Sequence, residues 1–164
     1  MSIESVEGDI ANQPDLDAVV NAANAQLKRG GGVAGAIHRA AGARLEQACR
    51  EFAPIEPGQA VVTEGFDLPN RYVIHVLGPR YEIDEPSDEL LADAYRNALA
   101  CCRKYGIESV GFPAVSAGAF GFPLEEAARI AVETVRSSAP GGLKVRFVLF
   151  DEDSRRAFAE LLAE

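Results

Sequence analysis

The chain has 164 residues, with 16 Lys+Arg against 25 Asp+Glu for a net charge of −9, and 48% of its residues are hydrophobic. A chain of this length buries roughly two-thirds of its unfolded surface, so it needs neither disulfides nor a metal to fold, and residues 1–164 are expected to form one domain. The acidity excludes broad binding to nucleic-acid backbones or anionic membranes, while leaving room for a local anion site made of backbone N–H groups.

Apolar runs rich in β-branched residues predict strands at about 2–7, 17–21, 59–65, 71–77, 109–114 and 144–150. Several are apolar throughout, such as Tyr72-Val-Ile-His-Val-Leu77, as strands covered on both faces are. Between them, one helix is predicted from about Val33 to Phe52. A second starts at Ser87 as N-cap and stops at Gly106. A third opens with Pro123 in its first turn, followed by Leu-Glu-Glu, and the last begins in Asp151-Glu-Asp153. Strands alternating with helices imply a three-layer α/β/α sandwich on a largely parallel sheet, whose ligands bind at the carboxyl ends of strands.

The three cysteines, Cys49, Cys101 and Cys102, form neither an even framework nor a CxxC pair. They are expected to be buried free thiols in a reducing compartment. The two histidines, His38 and His75, give a zinc site little material. His75, inside an apolar strand, reads as a core histidine bonded to backbone. No run of 18 apolar residues occurs and the N-terminus lacks a basic, apolar leader, so a cytoplasmic protein is expected, with no metal and no cofactor.

Three segments follow strands directly. Asn21-Ala-Ala-Asn24 leads to Gly30-Gly-Gly-Val-Ala-Gly35, where successive glycines let the backbone approach a ligand ahead of a helix N-terminus, an anion-binding arrangement. The run matches GxGxxG, but about nine residues separate it from its strand and no acid ends a second strand. A dinucleotide oxidoreductase is therefore disfavoured, and without GK[ST] a phosphate-binding Walker loop is excluded. Ser116-Ala-Gly-Ala-Phe-Gly121 exposes backbone N–H groups again, with Phe120 either a flat ligand surface or a plug against the core. In Gly8-Asp9-Ile10, the carboxylate could accept from an exocyclic amine or simply cap a turn.

Gly8-Asp9-Ile10, Val20-Asn-Ala-Ala-Asn24, Gly30 to Gly42, His75-Val-Leu-Gly-Pro79 and Ser116 to Gly121, in that order, resemble a macrodomain, the ADP-ribose-binding module, over essentially the whole chain. The resemblance implies a mixed six-stranded sheet between helices with ADP-ribose above the strand ends. It implies that Asp9 accepts from the adenine amine, that the Ile10 backbone borders the base and that Phe150 stacks on it. Ala22, Gly31, Gly32, Val33, Ser116, Ala117, Gly118, Ala119 and Phe120 would surround the diphosphate and distal ribose. Asn24 would hydrogen-bond that ribose beside the carbon whose bond is cut, with Gly32 and Phe120 shaping the reacting end.

One departure separates the chain from MacroD-type hydrolases, which read GGGVDGAIHRAAG: the aspartate position is Ala34, although His38 remains. Without that carboxylate, His38 reads as a packed helix residue rather than a base. Viral and some archaeal macrodomains resemble GGGVAGA, and in them a substrate phosphate oxygen is held to orient or deprotonate the attacking water. The resemblance thus implies hydrolysis of mono-ADP-ribose esters on acidic side chains of modified proteins, and of O-acetyl-ADP-ribose, by a monomer. The alternative is a reader that binds ADP-ribose without cleaving it, and Ala34 is the feature that supports it. Arg29 either adds charge at the site or points to solvent.

Overall fold

The computed structural model describes residues 2–164. Six strands, β1 (Ser2–Glu7), β2 (Ala18–Ala22), β3 (Ala60–Glu64), β4 (Tyr72–Val76), β5 (Ser109–Phe112) and β6 (Lys144–Leu149), form one sheet in the order β1-β6-β5-β2-β4-β3. All neighbours pair in parallel except β3, which lies antiparallel on β4. The helices of the described residues are α1 (Gly32–Ala41), α2 (Ala43–Cys49), α3 (Ser87–Tyr105), α4 (Leu124–Ser138) and α5 (Glu152–Leu162). Helices α1 and α2 cover one face of the sheet and α3, α4 and α5 the other, so the mixed α/β/α sandwich is as expected.

Alternation along β4 shows why both faces are dry. Ile74 and Val76 join the core under α3 to α5, while Val73 and Leu77 join the core under α1 and α2. The larger core is organised by an aromatic run in which Tyr95, Phe112, Phe147 and Phe158 follow one another at centroid separations of 5.2, 6.1 and 4.9 Å. Helix α3 buries Leu91, Ala94, Tyr95, Ala98, Leu99 and Cys102, a spacing of three and four that puts one stripe on the sheet. It ends at Gly106, whose φ of 67° is the left-handed cap a glycine takes without strain.

Several expectations are corrected. The helix expected over Val33–Phe52 is two helices, broken at Gly42, whose φ of 88° cannot continue a helix. Ser87 is not the N-cap of α3. Pro86 holds that position, and the Ser87 hydroxyl donates to Asp84 O at 2.7 Å. Pro123 precedes α4 rather than lying in its first turn. Strand β5 stops at Phe112 because Pro113 has no N–H to give a ladder. All three thiols are free, but Cys101 is only half-buried. His75 is fully buried, as expected, yet its partners are side chains and not backbone. Among the described residues, no helix is long and apolar enough to cross a membrane.

Candidate functional site

Five parallel strands point their carboxyl ends at the same edge, so the segments that follow them line up in strand order. Asp9 and Ile10 follow β1, Phe150 follows β6, residues 113–121 follow β5, residues 23–31 follow β2, and Gly78 to Tyr81 follow β4. The only register shared by β2 and β5 is Ala18 with Val110 and Val19 with Gly111. Beyond it, β2 stays with β4 while β5 ends, so the two strands part where the connection direction reverses. A cleft between the 23–31 and 113–121 loops is the topological consequence, at the position where open α/β sheets take ligands.

The β2 side of the cleft is built from glycine. Gly31 precedes α1 without a side-chain cap, the first turn holds no acid, and Gly32 has φ of 56°. A Cβ on Gly31 or Gly32 would meet nothing within 4 Å, so this backbone is open. The first-turn N–H groups of Gly32, Val33 and Ala34 have no partner within the helix, which leaves donors and a positive dipole end facing the cleft. Gly35 is needed for another reason: a Cβ there would run into Gly30 O. Asn24 lies at the base of this loop with its amide already engaged, Oδ1 accepting from Lys28 N at 3.0 Å and Nδ2 donating to Lys28 O at 2.7 Å. Ala22, half-buried, ends β2 opposite Val76.

The β5 side turns at Ser116, whose φ is 66° and whose O accepts from Phe122 N at 3.0 Å. Gly118 O accepts from Gly121 N at 3.0 Å, closing a tight turn. Among the described residues, the N–H groups of Gly118, Ala119 and Phe120 have no protein acceptor. Gly118 and Ala119 are exposed, Ala117 and Phe120 half-buried. Phe120 and Val33 pack on the same core, which includes Ile10, Ala23 and Leu77. The two loops therefore converge on one apolar floor, and Phe120 is at once anchored and available.

Asp9 and Ile10 are held at the far end by a relay. Asp9 Oδ1 accepts from Ala11 N at 2.9 Å, so the carboxylate shapes its own turn while remaining exposed. Gln13 Nε2 donates to Asp9 O at 3.0 Å, and Gln13 Oε1 accepts from Arg146 Nη1 at 2.9 Å. Arg146 also forks onto Asp15 at 2.9 and 2.8 Å and reaches Glu4 at 2.7 Å, and its hydrogen bonds hold the Asp15 carboxyl well below the usual carboxylate range. Ile10 is buried, and its N–H has no acceptor among the described residues. Phe150, the first residue after β6, is 82% exposed, so its ring is open to a ligand at this end of the strands.

Three braces were not legible from motifs. Tyr95 Oη accepts from Val115 N at 3.2 Å and donates to Pro113 O at 3.3 Å, fixing the stem of the β5 loop from inside α3. Tyr81 N donates to Phe120 O at 2.8 Å. Arg146 holds the Asp9 turn as above. The one sequence signal was Gly78-Pro79, which marks where the chain leaves β4 toward Tyr81.

No side chain near the glycine loop is poised as a base. Ala34 is 6% exposed and points no acid at the cleft. His38 is 4% exposed, burial lowers its pKa against the opposing charge of Glu46, and its Nε2 has no partner. His75 lies in the sheet, where Thr63 gives its hydroxyl proton to Glu64 O and so accepts from His75 Nε2 at 2.9 Å. That leaves Nδ1 to accept from Asn21 Nδ2 at 3.1 Å. Arg29 is exposed and makes no ion pair among the described residues. No cluster of metal-ligating side chains occurs among the described residues.

The family described as Macro domain matches residues 20–131. The chain is 43% identical over 166 residues to a Macro domain-containing protein of Streptomyces coelicolor, covering 98% of both. It is 44% identical over 170 residues to the O-acetyl-ADP-ribose deacetylase of Cronobacter sakazakii, covering 99% of this chain and 94% of that one. The Oceanobacillus iheyensis macrodomain solved with ADP matches at a TM-score of 0.94 and 38% identity, over 98% of this chain and 90% of its own. The Trypanosoma brucei macrodomain in complex with ADP-ribose matches at 0.91 and 38%, over 98% and 68%.

Proposed function

The chain belongs to the macrodomain family, and from that premise we propose that its cleft binds ADP-ribose and hydrolyses mono-ADP-ribose esters of acidic side chains, with O-acetyl-ADP-ribose as a second ester substrate. The observation that carries this reading is the convergence of two unpaired N–H runs, Gly32 to Ala34 and Gly118 to Phe120, on the gap between β2 and β5. Oriented backbone donors on both sides suit a diphosphate, whose charge an otherwise acidic chain would repel.

Asp9 and the Ile10 N–H offer an acceptor and a donor to the adenine edge, and Phe150 offers a ring to its face. Asn24, braced by Lys28, presents its remaining amide hydrogen to the distal ribose, with Phe120 packed beneath. Hydrolysis then needs a water beside the bond joining the distal ribose to the acyl oxygen. With Ala34 carrying no acid and His38 buried and neutral, the proton goes to a substrate phosphate oxygen as the water attacks. The carboxylate leaves, and ADP-ribose remains in the cleft. Positioning and fixed donors, with no side-chain base, can supply much of such a barrier reduction.

A second reading rests on the same residue. Ala34 favours a reader that holds ADP-ribosylated protein without cleaving it. Titration with ADP-ribose, ADP and NAD, followed by an assay of O-acetyl-ADP-ribose, tests both. Binding of ADP-ribose with release of acetate supports the hydrolase. Binding without release supports the reader, and preference for NAD over ADP-ribose contradicts both.

A further inference from the structure

The acidity of the chain is unevenly spread: 24 of its 25 carboxylates lie outside residues 21–50, where Lys28, Arg29, Arg39, Arg44 and Arg50 face Glu46 alone. Arg44 is engaged, 2.8 Å from Asp67 and over the Phe66 ring. Lys28, Arg29, Arg39 and Arg50 are exposed and form no ion pair among the described residues, as is also true of Arg71, Arg103, Lys104, Arg136 and Arg156, but only the first four lie in a stretch with a single carboxylate.

Two of these cations, Lys28 and Arg29, stand in the loop that leads to the proposed reacting end, while Arg39 lies on α1 and Arg50 caps α2. Asn24 grips the Lys28 backbone at both N and O. Arg29 immediately precedes Gly30, and its N donates to Glu46 Oε1 at 3.1 Å, tying the loop to α2. Arg39 Nη1 lies 3.1 Å from where a Gly35 Cβ would stand, so its guanidinium folds back on the glycine turn. The same loop walls a groove of about 410 Å³ lined by Gln26, Leu27, Lys28, Glu46, Arg50 and Ala53.

We propose that this cationic face docks the acidic peptide segment that carries the ester-linked ADP-ribose. The inference rests on the ADP-ribose reading above. The ester joins ADP-ribose at the distal ribose to an Asp or Glu side chain whose own charge the ester removes, so the segment leaving the cleft can match a cationic face only through the carboxylates of its flanking residues. Four unpaired cations on a net-negative protein complement such a segment and repel basic ones, which gives selectivity and speeds encounter. A second nucleotide is a poorer occupant because no aromatic ring lines the groove to stack a base.

The test compares two peptides bearing ADP-ribose through a non-hydrolysable linkage, one with acidic flanking residues and one with glutamines in their place. Affinities are measured at low and high salt for the wild type and for Arg50→Glu. The wild type is expected to bind the acidic peptide about tenfold more tightly at low salt, the variant to lose most of that preference, and free ADP-ribose to bind both proteins equally. Equal wild-type affinity for the two peptides, with free ADP-ribose still bound, overturns the docking face alone. Failure to bind free ADP-ribose overturns the reading beneath it. A variant that loses a poly-ADP-ribose oligomer yet keeps the acidic peptide assigns the face to a nucleotide polymer and overturns the proposal.

Discussion

Gly78 and Ser116 touch so closely that a Cβ on the glycine would occupy the place of the Ser116 Oγ, and it would stand 2.6 Å from Val115 Cγ1. The exit of β4 thereby holds the β5 loop at its first turn, where Ser116 adopts φ of 66°. Gly78→Ala must push that loop outward. It is expected to cost about 1–3 kcal/mol of stability, as overpacking does, and to weaken ADP-ribose binding besides. Denaturant unfolding and calorimetric titration measure the two effects. A variant that unfolds less readily than the wild type, or binds as tightly, contradicts the contact.

Phe150→Ala separates binding from folding. A ring that is 82% exposed contributes little to the core, so the unfolding midpoint should stay within error of the wild type. ADP-ribose affinity should fall by about 1–3 kcal/mol, the usual worth of a base stacked on an aromatic ring. Unchanged affinity would remove Phe150 from the adenine site.

Asp9→Ala is expected to weaken ADP-ribose by about 1–3 kcal/mol, because an exocyclic amine then loses its acceptor. Inosine diphosphoribose, which lacks that amine, is the control. It should bind wild type and variant with similar affinity. If ADP-ribose does too, Asp9 serves only its turn to Ala11.

Asn24→Ala should lower kcat more than it raises KM if the amide orients the reacting ribose. The substitution also frees Lys28, so the loop must be checked independently. Amide exchange at residues 25–31 reports that loosening. Equal losses in kcat and KM would make Asn24 a plain binding residue.

Most strands were legible because they are apolar runs, although β1 has only Ile3 and Val6 among its six residues. Alternation with helices implied a largely parallel sheet, but the order β1-β6-β5-β2-β4-β3 depends on crossovers that no local pattern encodes. What escaped the sequence lay in contacts between distant positions. Gly42 reads as any glycine in a helical stretch, and only its φ of 88° shows that it splits α1 from α2. The partners of His75, expected from backbone, proved to be Asn21, set directly beside it on β2, and Thr63, a diagonal neighbour on β3 two residues from the paired Val61. Likewise Tyr95 reaches Val115, and Arg146 reaches Gln13, across 20 and 133 residues of chain. The glycine loops pointed to the proposed phosphate site by composition, but the Asn24 bonds to Lys28 follow from a local turn that no residue pattern advertised.

Burial pushes the His75 pKa from 6.5 down to about 3. The folded state thus binds this proton less readily than the unfolded chain, and stability present above pH 6.5 is lost as the pH falls from there toward 3. The slope should approach about 1.4 kcal/mol per pH unit from this one group. His75→Gln should show a flatter profile between pH 6.5 and 4.5, above the range where Asp15 titrates. Parallel profiles would place the acid sensitivity elsewhere.

The most direct test is release of ADP-ribose from a glutamate-modified protein, followed at sub- and super-stoichiometric concentrations of this chain. Multiple turnovers are predicted, showing that a macrodomain with alanine at position 34 hydrolyses the ester without a side-chain base. Intact ester after prolonged incubation with excess protein, while the modified protein is retained, would contradict hydrolysis and identify a reader.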